Sequence, residues 1–152
     1  MTEPATAPAT APAYDNENIF AKILRGEIPS HKVYEDEATI AIMDIMPRAD
    51  GHTLVIPKTP SRNLLDVEPA DLGAVMETAQ KIARAHMIAF NADGVTVNQF
   101  NESAGGQVIF HLHVHVIPRK EGEPLGPHTG EMADNDLLAS HAAKIREALK
   151  SV

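Results

Sequence analysis

Two rhythms of apolar and polar residues run along this chain. Residues 32–35 and 39–44 are short runs rich in Val, Ile and Tyr, separated by the polar Asp36-Glu37-Ala38, and this reads as a hairpin of two strands. Residues 53–56 form a third such run, closed by Pro57. The rhythm then changes. After Glu68-Pro69-Ala70-Asp71, apolar residues recur as Leu72, Val75, Met76, Ala79, Ile82, Ala83 and His86, which is the spacing of an amphipathic helix. Pro69 suits its first position and Asp71 its positive end. Strand patterns return at residues 95–100 and 108–117, the second being the longest. A short helix is expected over residues 18–26, where Ile19, Phe20, Ile23 and Leu24 make a stripe that Gly26 stops. A last helix carries Leu137, Leu138, Ala142, Ile145, Ala148 and Leu149 behind Asp134 or Asn135 as cap. Five strands, one long helix, one short helix and a C-terminal helix, with few strand–helix alternations, predict an α+β fold on an antiparallel sheet.

Residues 1–14 are rich in Pro and Ala, with no basic or long apolar stretch, and are expected to be a disordered tail rather than a secretion signal. The folded domain is then expected over residues 15–120, and residues 121–152 form an extension whose helix packs on the domain or on a partner. The chain has 152 residues, enough for one domain with a substantial core. Its net charge of −8 argues against binding a nucleic-acid polymer, though not against a single nucleotide. It has no Cys, which removes disulfides, thiolate nucleophiles and Cys-based metal sites and fits a cytoplasmic setting. No apolar run has the length of a membrane span.

The chemistry is concentrated in the segment from Gly105 to Arg119. If residues 108–117 are one strand, Phe110, Leu112, Val114 and Val116 share a face that meets the core. His111, His113 and His115 then share the other. Burial and mutual repulsion favour neutral imidazoles, as a nucleophile, a general base or a metal ligand requires. Alternation alone leaves a three-histidine metal set and a nucleophilic site equally open. The preceding Gly105-Gly106-Gln107 adds backbone and amide donors suited to a phosphate, which favours the second. His31, His86, His128 and His141 are expected at the surface or on helix faces.

The run His111-Leu112-His113-Val114-His115-Val116 after Gly106-Gln107 resembles the histidine-triad (HIT) family. The similarity extends over residues 18–29, 33–36, 43–47 and 51–58, and among its branches the bacterial, Hint-like one is nearest. The resemblance implies a HIT-like five-stranded antiparallel sheet and a homodimer whose two sheets join. It implies a nucleotide hydrolase or transferase acting at an α-phosphate, with purine nucleoside phosphoramidates of the AMP type as substrates and no cofactor. His113 would be the nucleophile, forming a nucleotidyl-histidine. His115 would bond the phosphate or leaving group, and His111 and His52 would order the ring of His113. Gly106, Gln107 and Val108 would hold the phosphate, and Asp44 the ribose. Ile19, Phe20, Ile23, Ile42, Met43 and Ile45 would form the slot for the base.

Some departures from the family pattern matter. The Cys positions of a zinc site found in some bacterial members are Asn18 and Ala21 here, so no metal is expected there. Val108 stands where the Hint branch has Ser. A ribose-contacting Asn is displaced, with Asn101 its substitute. The alternatives are a dinucleoside polyphosphate hydrolase of the Fhit-like kind, a metal-binding module using the histidine strand, and a nucleotide sensor without turnover.

Overall fold

The computed structural model describes residues 12–127 and 130–152. Most of the expected tail, and His128, therefore lie outside the described residues. The elements are α1 (Ile19–Leu24), β1 (Lys32–Glu35), β2 (Thr39–Met43), β3 (Thr53–Pro57), α2 (Pro69–Ala89), β4 (Gly94–Asn98), β5 (Val114–Arg119) and α3 (Asn135–Leu149). A single turn of 3-10 helix, Ser103–Gly105, precedes β5. The caps follow the sequence chemistry. Asn18 accepts from the Ala21 N–H, Asp134 accepts from the Leu137 N–H, and Pro69 opens α2.

The five strands form one antiparallel sheet in the order β1-β2-β3-β5-β4. On one face Ala41, Val55, Val114 and Val116 pack against α2 and α3 through Val75, Ala79, Ile82, Leu138 and Ile145. On the other, Ile40, Ile42, Leu54 and Ile56 pack against Phe20 of α1. Both faces of β2 are buried, which explains its unbroken apolar run. α+β architecture on an antiparallel sheet is what the patterning predicts.

The fifth strand is shorter than expected. It begins at Val114, and residues 108–113 run irregularly. The β3–β5 register pairs Val55 with Val114, so two residues further the rung would join Pro57 to Leu112. Pro57 has no N–H to give, and the ladder stops. The Leu112 N–H bonds the Ser61 carbonyl instead. His111 therefore does not share a strand face with His113 and His115. Phe110, expected in the core, is only half-buried and lies under the Arg62 guanidinium at 4.2 Å.

Two other histidines lie on helix faces, as expected, and both faces are buried. His86 is fully buried on α2, bonded through Nε2 to Thr53 Oγ1 at 3.0 Å. His141 is buried against Phe90. Both follow from the same stripe that packs the helices on the sheet. Among the described residues no helix is long and apolar enough to cross a membrane.

Candidate active site

β5 carries His113 just before its first residue and His115 as its second. His115 lies between Leu54 of β3 and Asn98 of β4. The two imidazoles stand 5.0 Å apart between ring centres, at the floor of a cavity of about 240 Å³. The rest of its lining is largely apolar. Ile19, Phe20 and Ile23 come from α1, Ile42 from β2, Leu54 from β3, and Phe100, Gly106, Val108 and Ile109 from the approach to β5. Asp44, Ile45 and Arg48 follow β2 and border the same cavity, as does His52. Phe20 stands edge-on to His113 at 4.9 Å.

Main-chain groups fix the protons on these rings. His113 Nδ1 lies 2.7 Å from the His111 carbonyl, which can only accept. Nδ1 therefore carries the proton, and Nε2 of the neutral ring is the bare nitrogen. The second chain runs the other way. The Arg48 N–H donates to His52 Nδ1 at 3.0 Å, so the proton of His52 is on Nε2. That Nε2–H faces His115 Nδ1 at 2.9 Å, with Asp44 Oδ2 at 3.4 Å. His115 thus accepts at Nδ1 and holds its own proton on Nε2. Two adjacent imidazoles are set in opposite tautomers, one to give an electron pair and the other a proton.

His111 supports this arrangement from behind the cavity. Its Nε2–H donates to the Pro57 carbonyl at 2.8 Å, and Tyr14 O–H meets Nδ1 at 2.5 Å. Burial holds the His111 imidazole well below its ordinary range, at about 4, and raises the Tyr14 hydroxyl, which keeps it a donor. Tyr14, placed at the end of the tail in the sequence reading, is thus in contact with the histidine cluster.

Several expected contacts are differently placed. Gln107 is buried and outside the cavity lining. Its Nε2 donates to the Arg62 and Ile109 carbonyls, and its Oε1 accepts from Asn63 Nδ2 and the Glu102 N–H. All four hydrogen-bonding positions are committed, so the amide holds the loop and not a ligand. Glu102 completes the knot through paired bonds to Arg62 at 2.8 and 2.9 Å. Asn101 is likewise outside the lining, bonded to Gln99 and the Leu64 N–H. Met43 borders the cavity but belongs to the helix-side core. Arg48 and Phe100 are lining residues that the sequence reading passed over; the displaced Asn was the one signal pointing to Phe100.

A metal reading does not fit these donors. Among the described residues the clustered groups are Asp44, His52 and His115, within 4.8 Å of one another, and not the three strand histidines. A cation there needs His52 Nε2 bare, but the Arg48 N–H places the proton on that nitrogen.

The pattern of the HIT domain family matches residues 25–122. The chain belongs to the HIT family. A Hit-like protein from Bartonella henselae has the same fold, with a TM-score of 0.86 and 57% identity over 90% of this chain and 98% of that one. Adenylylsulfatase HINT3 of Arabidopsis thaliana is 40% identical over 72% of this HIT chain, which spans 56% of that relative's length. Adenosine 5'-monophosphoramidase HNT1 of Candida albicans is 34% identical, over 88% of this chain and 92% of the relative.

Proposed function

We propose that this HIT protein is a nucleotide hydrolase or transferase acting at an α-phosphate, with AMP-type purine nucleoside phosphoramidates as substrates. The observation that carries the reading is the opposed tautomers of His113 and His115. His113 Nε2 attacks phosphorus and forms an N–P bond as the P–N bond to the leaving amine breaks. His115 Nε2–H passes its proton to the departing nitrogen. Water then attacks the nucleotidyl-histidine, giving its proton back to His115 and releasing AMP. His52 holds the tautomer of His115, and His111 holds the ring of His113 through its carbonyl. Asp44 accepts from the ribose hydroxyls, while Ile19, Phe20, Ile23, Ile42 and Ile45 enclose the base. Gly106 and Val108 flank the phosphate.

The monophosphoramidase and adenylylsulfatase activities named for two relatives support this class of reaction. The enzyme works in the cytoplasm as a homodimer, joined through β4, one of the two outer strands, where Val97 is 46% exposed. A dinucleoside polyphosphate is the second reading, since the same two histidines serve it.

The test is hydrolysis of adenosine 5'-phosphoramidate and of diadenosine polyphosphates by wild type and His113→Ala, with and without chelator. Turnover by wild type alone, indifferent to chelator, is expected. Turnover that survives His113→Ala, or that disappears with chelator, overturns the mechanism.

A further inference from the structure

Strand order gives the cavity two unlike sides. The sequence β2-β3-β5-β4 puts Asp44, which follows β2, and Phe100, two residues beyond β4, on opposite sides of the histidine strand. His115 pairs with Leu54 on the first side and with Asn98 on the second. With the nucleoside lying on the Asp44 side, and with His115, the proton donor, beside Phe100, the Phe100 side of β5 is the side left for the leaving group.

That second side is a wall of carbon. The Phe100 ring lies 5.5 Å from that of His115. It also covers Gly106, where an added Cβ would come to 3.3 Å from the ring, and at φ +100° the backbone itself favours glycine. Val108 is 68% exposed beside it, and Ile109 completes the surface. Among the described residues, the one permanently charged cation in the lining is Arg48, on the Asp44 side, where its Nε donates to the Gly126 carbonyl at 3.0 Å. Arg62, outside the lining, is paired with Glu102. Among the described lining residues, a sulfate or polyphosphate leaving group would meet no permanently charged cation on that side, whereas an aromatic amine would meet a ring and two branched side chains.

We propose that Phe100 is a specificity-determining residue, which selects nucleoside phosphoramidates with an apolar, above all aromatic, leaving amine over those with an anionic leaving group. The selection rests on the hydrolase reading given above. The step is unchanged by it: His113 forms the N–P bond, the P–N bond to the aromatic amine breaks, and His115 supplies the proton that amine takes away.

The experiment compares kcat/KM of wild type for adenosine 5'-phosphoramidate, its N-benzyl derivative, adenosine 5'-phosphosulfate and diadenosine tetraphosphate. The benzyl compound should exceed the parent by about tenfold, the size of a well-formed aromatic contact, and the two anionic substrates by more. In Phe100→Ala the benzyl-to-parent ratio should fall towards about one, and Phe100→Leu, which keeps apolar volume without the ring, should lie between. A flat ratio in wild type, a preference for an anionic substrate, or a ratio unchanged in both variants overturns the proposal. Wild type alone decides the first two, so misfolding of a variant does not protect the idea. If wild type cleaves none of the four, the hydrolase reading falls too; if it cleaves them but favours the anionic pair, only the leaving-group assignment falls.

Discussion

Acidification to about pH 5 should weaken this protein measurably, because histidines such as His86 and His111 are buried neutral. His86 is surrounded by the α2–β3 packing, and among the described residues its Nδ1 has no hydrogen-bond partner. Burial lowers its pKa from 6.5 to about 4, and burial does the same to His111. A histidine whose folded pKa is depressed binds its proton more readily in the unfolded chain. Stability is therefore full above about pH 6.5 and is lost as pH falls towards about 4. At about pH 5 each such group costs on the order of 2 kcal/mol, and the pair about 4, a large part of the usual stability of a domain. The assay is urea unfolding at constant ionic strength from pH 7.5 to 5. The midpoint should hold nearly level down to about pH 6.5 and fall below it, and in His86→Leu the fall should be shallower. A midpoint unchanged between pH 7 and 5, or an equal slope in the variant, would refute the argument.

Three further outcomes follow from packing and hydrogen bonding. Gly51→Ala places a Cβ 2.5 Å from the Phe90 ring and 2.9 Å from Pro118 at φ +88°, and should cost about 3 kcal/mol or more by urea unfolding; Gly73→Ala, with nothing within 4 Å on α2, should stabilise by up to about 1 kcal/mol. Gln107→Leu strips partners from Asn63, Glu102 and the Arg62 and Ile109 carbonyls, and should lower stability by about 2–4 kcal/mol and raise KM as the Gly106 loop loosens. An unchanged melting temperature in Gln107→Leu would mean that the knot is not what holds the loop.

Most of the fold could be read from local signals, and the reasons are specific. Asn18, Asp134 and Pro69 cap helices as their chemistry predicts, and the Val and Ile runs fall in β1, β2 and β3. The pairing of His113 with His115 was visible because the sequence names neighbours on a face. The position of His111 was not, since it depends on Pro57, more than fifty residues away in the chain, ending the ladder from the other side. Gln107 looked like a ligand donor because its partners Asn63 and Arg62 come from a distant loop. His86 sat in the apolar stripe of α2, and the periodicity that placed it there was the signal of its burial.

The donor that orients His52 is the amide of Arg48, and the acceptor that orients His113 is the carbonyl of His111. Neither is a side-chain group. The division of labour between the two imidazoles is therefore written in the path of the chain. Replacing the guanidinium of Arg48, or the ring of His111, leaves both instructions in place as long as the main chain keeps its course. An engineer can thus re-equip Arg48, which borders the cavity, for new recognition without erasing which ring gives the electron pair. To exchange those roles, the loop 46–51 or the approach to β5 would have to be rebuilt.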